Sequence, residues 1–155
     1  MHNQKELIQN ILRYKRVAVI GVSRNPRDFT RTLWTAFRVR GYDAIPVHPE
    51  QELVEGIPCF ANIRAITPKP DWALILVPKI RRKDVLEDCL AAGIRLVWIF
   101  GIRGKKDVGD DLLRLCEQRN IEVVAGFCPF MFLPETPFFH RVHGAVSKLV
   151  GAYPK

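Results

Sequence analysis

Apolar residues along this chain fall into two patterns. Short runs rich in β-branched and aromatic residues alternate with longer stretches in which apolar positions recur every three or four residues. The runs Val17–Ile20, Ala44–Val47, Trp72–Val77, Leu96–Phe100 and Ile121–Ala125 predict strands, and Trp72–Val77 has the unbroken apolar character of a strand buried on both faces. Residues 4–14 predict a helix with Leu7, Ile8, Ile11 and Leu12 on one face. Further helices are predicted from Thr30 to Arg40, from Arg82 to Ala92 and over 106–119. Thr30 stands where an N-cap belongs, and Gly41 and Gly93 where helix-ending glycines belong. Residues 50–60 read as a loop with a short strand near Cys59, and 62–66 as one helical turn. This alternation predicts an α/β fold, a single domain over residues 1–155 with a doubly wound, mainly parallel sheet.

Beyond Cys128 the pattern changes. Phe138, Val142, Val146 and Val150 fall at four-residue spacing, which predicts an additional amphipathic C-terminal helix. Its apolar stripe covers either the domain's own sheet and helices or a second copy of the chain, and so leaves a homodimer open.

Composition narrows the setting. With 155 residues, 48% of them hydrophobic, the chain can bury one sizeable core. No apolar run reaches the roughly 18 residues of a membrane span, and no membrane partner is expected. Met1-His2-Asn3-Gln4-Lys5 lacks the apolar core of a secretory signal, so a cytoplasmic location is expected. The four cysteines, Cys59, Cys89, Cys116 and Cys128, form no C-x-x-C pair and are expected as reduced, mostly buried thiols. His140 and His143 lack a third ligand for a metal. A net charge of +8 favours anionic partners. Nucleic acid is disfavoured, because no aromatic cluster on a strand face and no known binding motif accompanies the charge.

The most informative chemistry lies in Val17-Ala18-Val19-Ile20-Gly21-Val22-Ser23-Arg24-Asn25-Pro26. A strand that stops at a glycine turn before a helix aims backbone N–H groups and a helix N-terminus at one point, which suits a phosphate. The turn holds one glycine, Gly21, rather than the three of G-x-G-x-x-G. Ser23 and Thr30 offer hydroxyls, and Arg24 and Arg27 offer charge. In a doubly wound sheet the carboxyl ends of the strands gather the ligand, so four segments are expected to converge: Gly21–Thr30, His48-Pro49, Val77–Arg82 and Phe100–Gly104.

The second strand ends in Val47-His48-Pro49, without the acid that holds the ribose hydroxyls of NAD, and Glu50 lies past the proline. Such an ending suits a ribose bearing a phosphate, as in NADP or coenzyme A. His48 is either a ligand-facing donor or a strand-end surface histidine. Cys128, beside Pro129, reads as a buried turn residue rather than a nucleophile. No acid pairs with a histidine or serine in a recognisable catalytic order.

One ordered set of motifs carries a family resemblance. Gly21-Val22-Ser23-Arg24-Asn25-Pro26, Gly41-Tyr42, Ile45-Pro46-Val47-His48-Pro49, Gly56-Ile57-Pro58-Cys59-Phe60, Ala92-Gly93-Ile94-Arg95-Leu96-Val97-Trp98 and Cys128-Pro129 together resemble the small stand-alone CoA-binding proteins. The segment from Val77-Pro78 through Lys83-Asp84 to Ala92-Gly93-Ile94 is also similar to the CoA-binding domain of the succinyl-CoA ligase alpha subunit. The resemblance implies a Rossmann-like fold that binds coenzyme A or an acyl-CoA and has no catalysis of its own. It implies that Gly21, Val22, Ser23 and Arg24 meet the phosphates; Arg27, Thr30 and Lys79 are expected nearby from their own charge and hydroxyl. It places His48 and Pro49 at the adenosine end, and Val77, Pro78 and Phe100 along the nucleotide or pantetheine arm. The chain departs from the family pattern in having His48 where Asn is usual and in placing Arg27 one position early. The rivals are an NADP-dependent oxidoreductase and another nucleotide-binding regulatory module.

Overall fold

A computed structural model describes residues 3–134. The predicted C-terminal helix, with His140 and His143, lies outside the described residues.

Five strands form one sheet: β1 (Arg16–Ile20), β2 (Asp43–Val47), β5 (Trp72–Ile75), β6 (Leu96–Ile99) and β7 (Glu122–Ala125). Their order is β2-β1-β5-β6-β7, and every neighbouring pair is parallel. The helices are α1 (Gln4–Ile11), α2 (Phe29–Val39), α3 (Arg82–Ala91), α4 (Lys105–Val108) and α5 (Asp110–Gln118). Two short strands, β3 (Leu53–Val54) and β4 (Ile57–Pro58), make an antiparallel hairpin between β2 and the rest. The fold is thus the Rossmann-like, doubly wound α/β arrangement.

Side chains alternate across each strand, and both faces are covered. Val17, Val19, Trp72, Leu74, Trp98 and Val124 face α1, α2 and the segment Cys128–Leu133. Ala18, Ile20, Ala73, Ile75, Val97 and Ile99 face α3 and α5. Burial on both faces explains the continuous apolar runs of the sequence. All three tryptophans are fully buried on the first face. Each satisfies its indole N–H on a backbone carbonyl: Trp34 on Ala44 at 3.0 Å, Trp72 on Tyr14 at 2.9 Å, Trp98 on Phe127 at 2.9 Å. They thereby bury large rings without the cost of an orphan donor.

The sheet edges are also managed. Gln4 of α1 bridges the outer edge of β7, donating to Val123 O and accepting from Ala125 N–H, both at 3.1 Å. At the other edge Phe60 pairs with β2, its N–H on Pro46 O at 3.0 Å. Pro46 fits in a strand because its missing N–H faces that outer edge and no ladder bond is lost.

Four boundaries differ from expectation. The first helix ends at Ile11 rather than 14. The β5 ladder stops at Ile75, so Leu76 and Val77 belong to the following loop. The helix over 106–119 is broken into α4 and α5 at Gly109, whose φ of +91° no helix accommodates. The N-cap of α2 is Asp28, not Thr30. Asp28 is extended, and its carboxylate accepts the Thr30 N–H at 2.8 Å, an acceptor better matched than a hydroxyl to the positive end of the helix.

Two glycines provide a contrast. A Cβ at Gly126 would stand 2.2 Å from the Gly104 carbonyl carbon and 2.3 Å from Lys105 N, at φ +82°, whereas at Gly41, φ +85°, it would meet nothing. Gly41→Ala is expected to cost about 1–2 kcal/mol, the penalty of the left-handed conformation alone. Gly126→Ala, which must also displace backbone, is expected to cost more than about 3 kcal/mol. Urea unfolding of the two variants measures the difference.

Candidate functional site

The sheet order reverses at β1. The chain passes from β1 through α2 to β2 on one side, then crosses to β5 on the other. The loops leaving β1 and β5 therefore diverge above adjacent strands and open a crevice at their carboxyl ends. Gly21 makes the crevice reachable. Its φ is +105°, its N–H bonds Val47 O at 2.9 Å, and an added Cβ would press within 3.1 Å of the Leu76 carbonyl carbon and Val77 Cγ1.

A cavity of about 300 Å³ fills this position. Gly21, His48, Pro49, Val77 and Pro78 line it, so five of the sequence-predicted residues meet there. Asn62, Arg81 and Asp88 add polar groups to its wall. Asn62 Nδ2 donates to Asp88 Oδ2 at 2.8 Å, which fixes the amide. The volume is at the lower end of the roughly 300–1,000 Å³ of small-molecule sites, enough for part of an extended coenzyme and not the whole.

The other predicted residues surround the cavity unequally. Val22 is buried in the core beneath the turn. The two hydroxyls shape the turn. Thr30 Oγ1 accepts the Ser23 N–H at 2.9 Å and donates to Asp28 at 2.6 Å, while Ser23 Oγ accepts the Asn25 N–H at 3.1 Å. Arg24 reaches the β2–β3 loop, with Nη2 at 3.1 Å from Glu50 Oε2 and 3.2 Å from Glu50 O. Both of those side chains are largely exposed, so the pair is weak and exchangeable. Arg27 is exposed, with its backbone N–H on Asn25 Oδ1. Lys79 lines a separate open cavity with Lys83 and Gly109, and Phe100 packs on Phe29 with ring centroids 5.1 Å apart.

Sequence reasoning placed Arg81 and Arg82 in a converging segment without singling either out as a site residue, and did not assign Arg31, Asn62 or Asp88 to the site. Arg82 is buried and braces three loops, donating from Nε to Val77 O at 3.3 Å, from Nη1 to Asp107 O at 2.5 Å and from Nη2 to Phe100 O at 3.0 Å. It holds the ends of β5 and β6 in fixed relation. Arg81 and Arg82 sit in one basic run, and only the fold turns the first toward the cavity and the second into the protein.

Cys128 is buried, and burial pushes its thiol up to about 12, so it is not a thiolate at neutral pH. Among the described residues no group of three His, Cys, Asp or Glu side chains could hold a metal ion, and no helix is long and apolar enough to cross a membrane.

A parallel sheet with an open crevice at its reversal has the architecture in which doubly wound folds hold their ligands. The sequence profile of the CoA binding domain family matches residues 15–134, and the chain belongs to that family. It is 25% identical over 119 residues to the acetate–CoA ligase (ADP-forming) II subunit alpha of Pyrococcus furiosus. That match covers 72% of this chain and 26% of the relative, so the chain corresponds to about a quarter of that protein's length. Among solved structures it shares its fold with Prb, a redesign for binding of the PH1109 protein, at a TM-score of 0.74 and 21% identity, over 90% of this chain and 98% of that one. A hypothetical protein from Pyrococcus horikoshii OT3 has the same fold, with a TM-score of 0.71 and 22% identity over 82% of this chain and 87% of that one.

His48 offers a local probe of the crevice. Partial burial lowers its pKa from the ordinary 6.5; nearby Glu50 opposes the shift, and Arg24 and Arg81 reinforce it. Nδ1 accepts the Glu50 N–H at 3.1 Å, a bond that requires the neutral ring. Because the folded value is depressed, this contribution to stability is full above about pH 6.5 and is lost as pH falls through the folded value. In an NMR titration of the imidazole, Arg24→Ala is expected to raise the midpoint and Glu50→Gln to lower it.

Proposed function

We propose that this chain binds coenzyme A or an acyl-CoA in the crevice between β1 and β5, as a binding module without catalysis of its own. The observation that carries this reading is the cavity at the sheet reversal, where Gly21 lies against Leu76 and Val77, Arg81 lines the wall and Arg24 is held on Glu50 beside Pro49, in a chain of the CoA binding domain family. The apolar walls of Val47, Val77 and Ile63 suit a flat base, and Asn62 and Asp88 supply polar partners for its edge. Arg24 and Arg81 meet the phosphates. Glu50 holds Arg24 until a phosphate displaces it, which an exposed pair permits at small cost. The kinship with a ligase subunit spans 26% of that relative, and binding is the role proposed for this chain.

Calorimetric titration of the full chain with coenzyme A, 3′-dephospho-CoA and NADP tests the reading. Coenzyme A is expected to bind more tightly than the other two. Arg24→Ala and Arg81→Ala are each expected to weaken it about tenfold, the loss of one charge-assisted contact. Unchanged affinity in both variants would remove the crevice as the site. Tight NADP binding without coenzyme A binding would replace this reading with the oxidoreductase.

A further inference from the structure

Arg31 is 7% exposed, one of two buried charged residues among those described. It lies in the first turn of α2, directly behind the loop that follows β1. Its Nη1 donates to the carbonyl oxygens of Ser23 at 3.1 Å and Arg24 at 3.2 Å, and its Nη2 is 3.3 Å from Glu55 Oε1. Its Nε is buried with no hydrogen-bond partner. A buried charge with an orphan donor destabilises a fold relative to an apolar side chain of similar volume, so packing alone gives no reason for arginine here.

The geometry of the turn supplies a reason. In a planar trans peptide the carbonyl and the following N–H point in opposite directions. A guanidinium on the Ser23 carbonyl therefore turns the Arg24 N–H to the far side, and that N–H has no partner among the described residues. The adjoining peptide is held in the same way, since Gln51 Nε2 donates to Val22 O at 2.7 Å and the Ser23 N–H is taken by Thr30. A cation on the carbonyl side also polarises the peptide and strengthens its N–H as a donor. Glu55 sits at φ +50° in the hairpin between β3 and β4, with its side chain about half exposed at 49%. It neutralises part of the Arg31 charge while remaining in contact with water.

We propose that Arg31 is a positioning residue for anion binding. It holds the Ser23 and Arg24 carbonyls from beneath so that the Arg24 N–H faces an incoming phosphate, and Glu55 sets the strength of that hold. The inference rests on reading the first turn as the phosphate site of the proposed function. Its distinctive consequence is that the two ends of one ion pair act in opposite directions. Removing Arg31 frees the carbonyls and removes a positive charge. Removing the charge of Glu55 leaves the guanidinium in place and less neutralised.

The test is an NMR titration of the full chain with inorganic pyrophosphate and then coenzyme A, following the Arg24 amide, beside thermal melts of each variant. Arg31→Met is expected to weaken pyrophosphate about tenfold, and Glu55→Gln to tighten it about threefold. A merely structural latch predicts that both variants weaken binding in step with their loss of thermal stability, and that result would overturn the inference. So would unchanged affinity in both, or a wild-type Arg24 amide that pyrophosphate does not shift. If Arg31→Met fails to fold, the sign of the Glu55→Gln effect decides alone. Pyrophosphate binding at Arg24 with the predicted signs, but without coenzyme A binding, would uphold the positioning role and reject the proposed ligand.

Discussion

Everything near the site depends on how closely the turn after β1 approaches the end of β5. Gly21 lies close against Leu76 and Val77, which come to 3.1 Å from where a Cβ would stand, while its N–H is still bound to Val47 of the opposite neighbour, β2. One residue thus joins the ends of three strands. The sheet must be covered on both faces, so α2 and α3 leave on opposite sides of this junction. The space between their departures is the crevice. A Cβ at position 21 would stand 3.1–3.2 Å from Leu76 C, Val77 Cγ1 and Val77 N, so those atoms would have to give way, and the φ of +105° would be strained besides.

Around that junction the polar groups divide into fixed and exchangeable ones, and burial decides which is which. Arg82 is buried on three backbone carbonyls and Arg31 on two. Breaking a buried charged contact leaves a desolvated group behind, at a cost of several kcal/mol, so these act as permanent braces. The Arg24–Glu50 pair lies in solvent, where such contacts contribute about 0–1 kcal/mol. It is the tie that a ligand can replace. The site is therefore rigid in its backbone and adjustable at its charged rim, an arrangement suited to an extended anionic ligand.

The extent to which the sequence was legible follows the same division. Strand runs such as Val17–Ile20 and Trp72–Val77, the second followed by the β5 ladder only as far as Ile75, were readable because burial on both faces demands uninterrupted apolar residues. The convergence of Gly21, His48, Pro49, Val77 and Pro78 was readable because carboxyl ends of parallel strands share one edge. The cap of α2 was misplaced by two positions, since Asp28 and Thr30 are both competent capping residues and local sequence does not rank them. The break at Gly109 was hidden because a glycine within a helical pattern is tolerated as often as it interrupts.

The sequence by itself determined the α/β class, the succession of strands and helices, and the basic character of the turns that would meet an anion. These follow from periodicity and composition, which act along the chain. The tertiary structure alone decided the strand order and the burial of Arg31 and Arg82 but not Arg24. It also turned Arg81 toward the cavity and Lys79 toward another. Those outcomes depend on contacts between residues distant in sequence, such as Arg82 with Asp107 and Arg31 with Glu55. An arginine carries the same charge everywhere along a chain, and only the neighbours brought by folding determine whether that charge braces a loop or awaits a ligand.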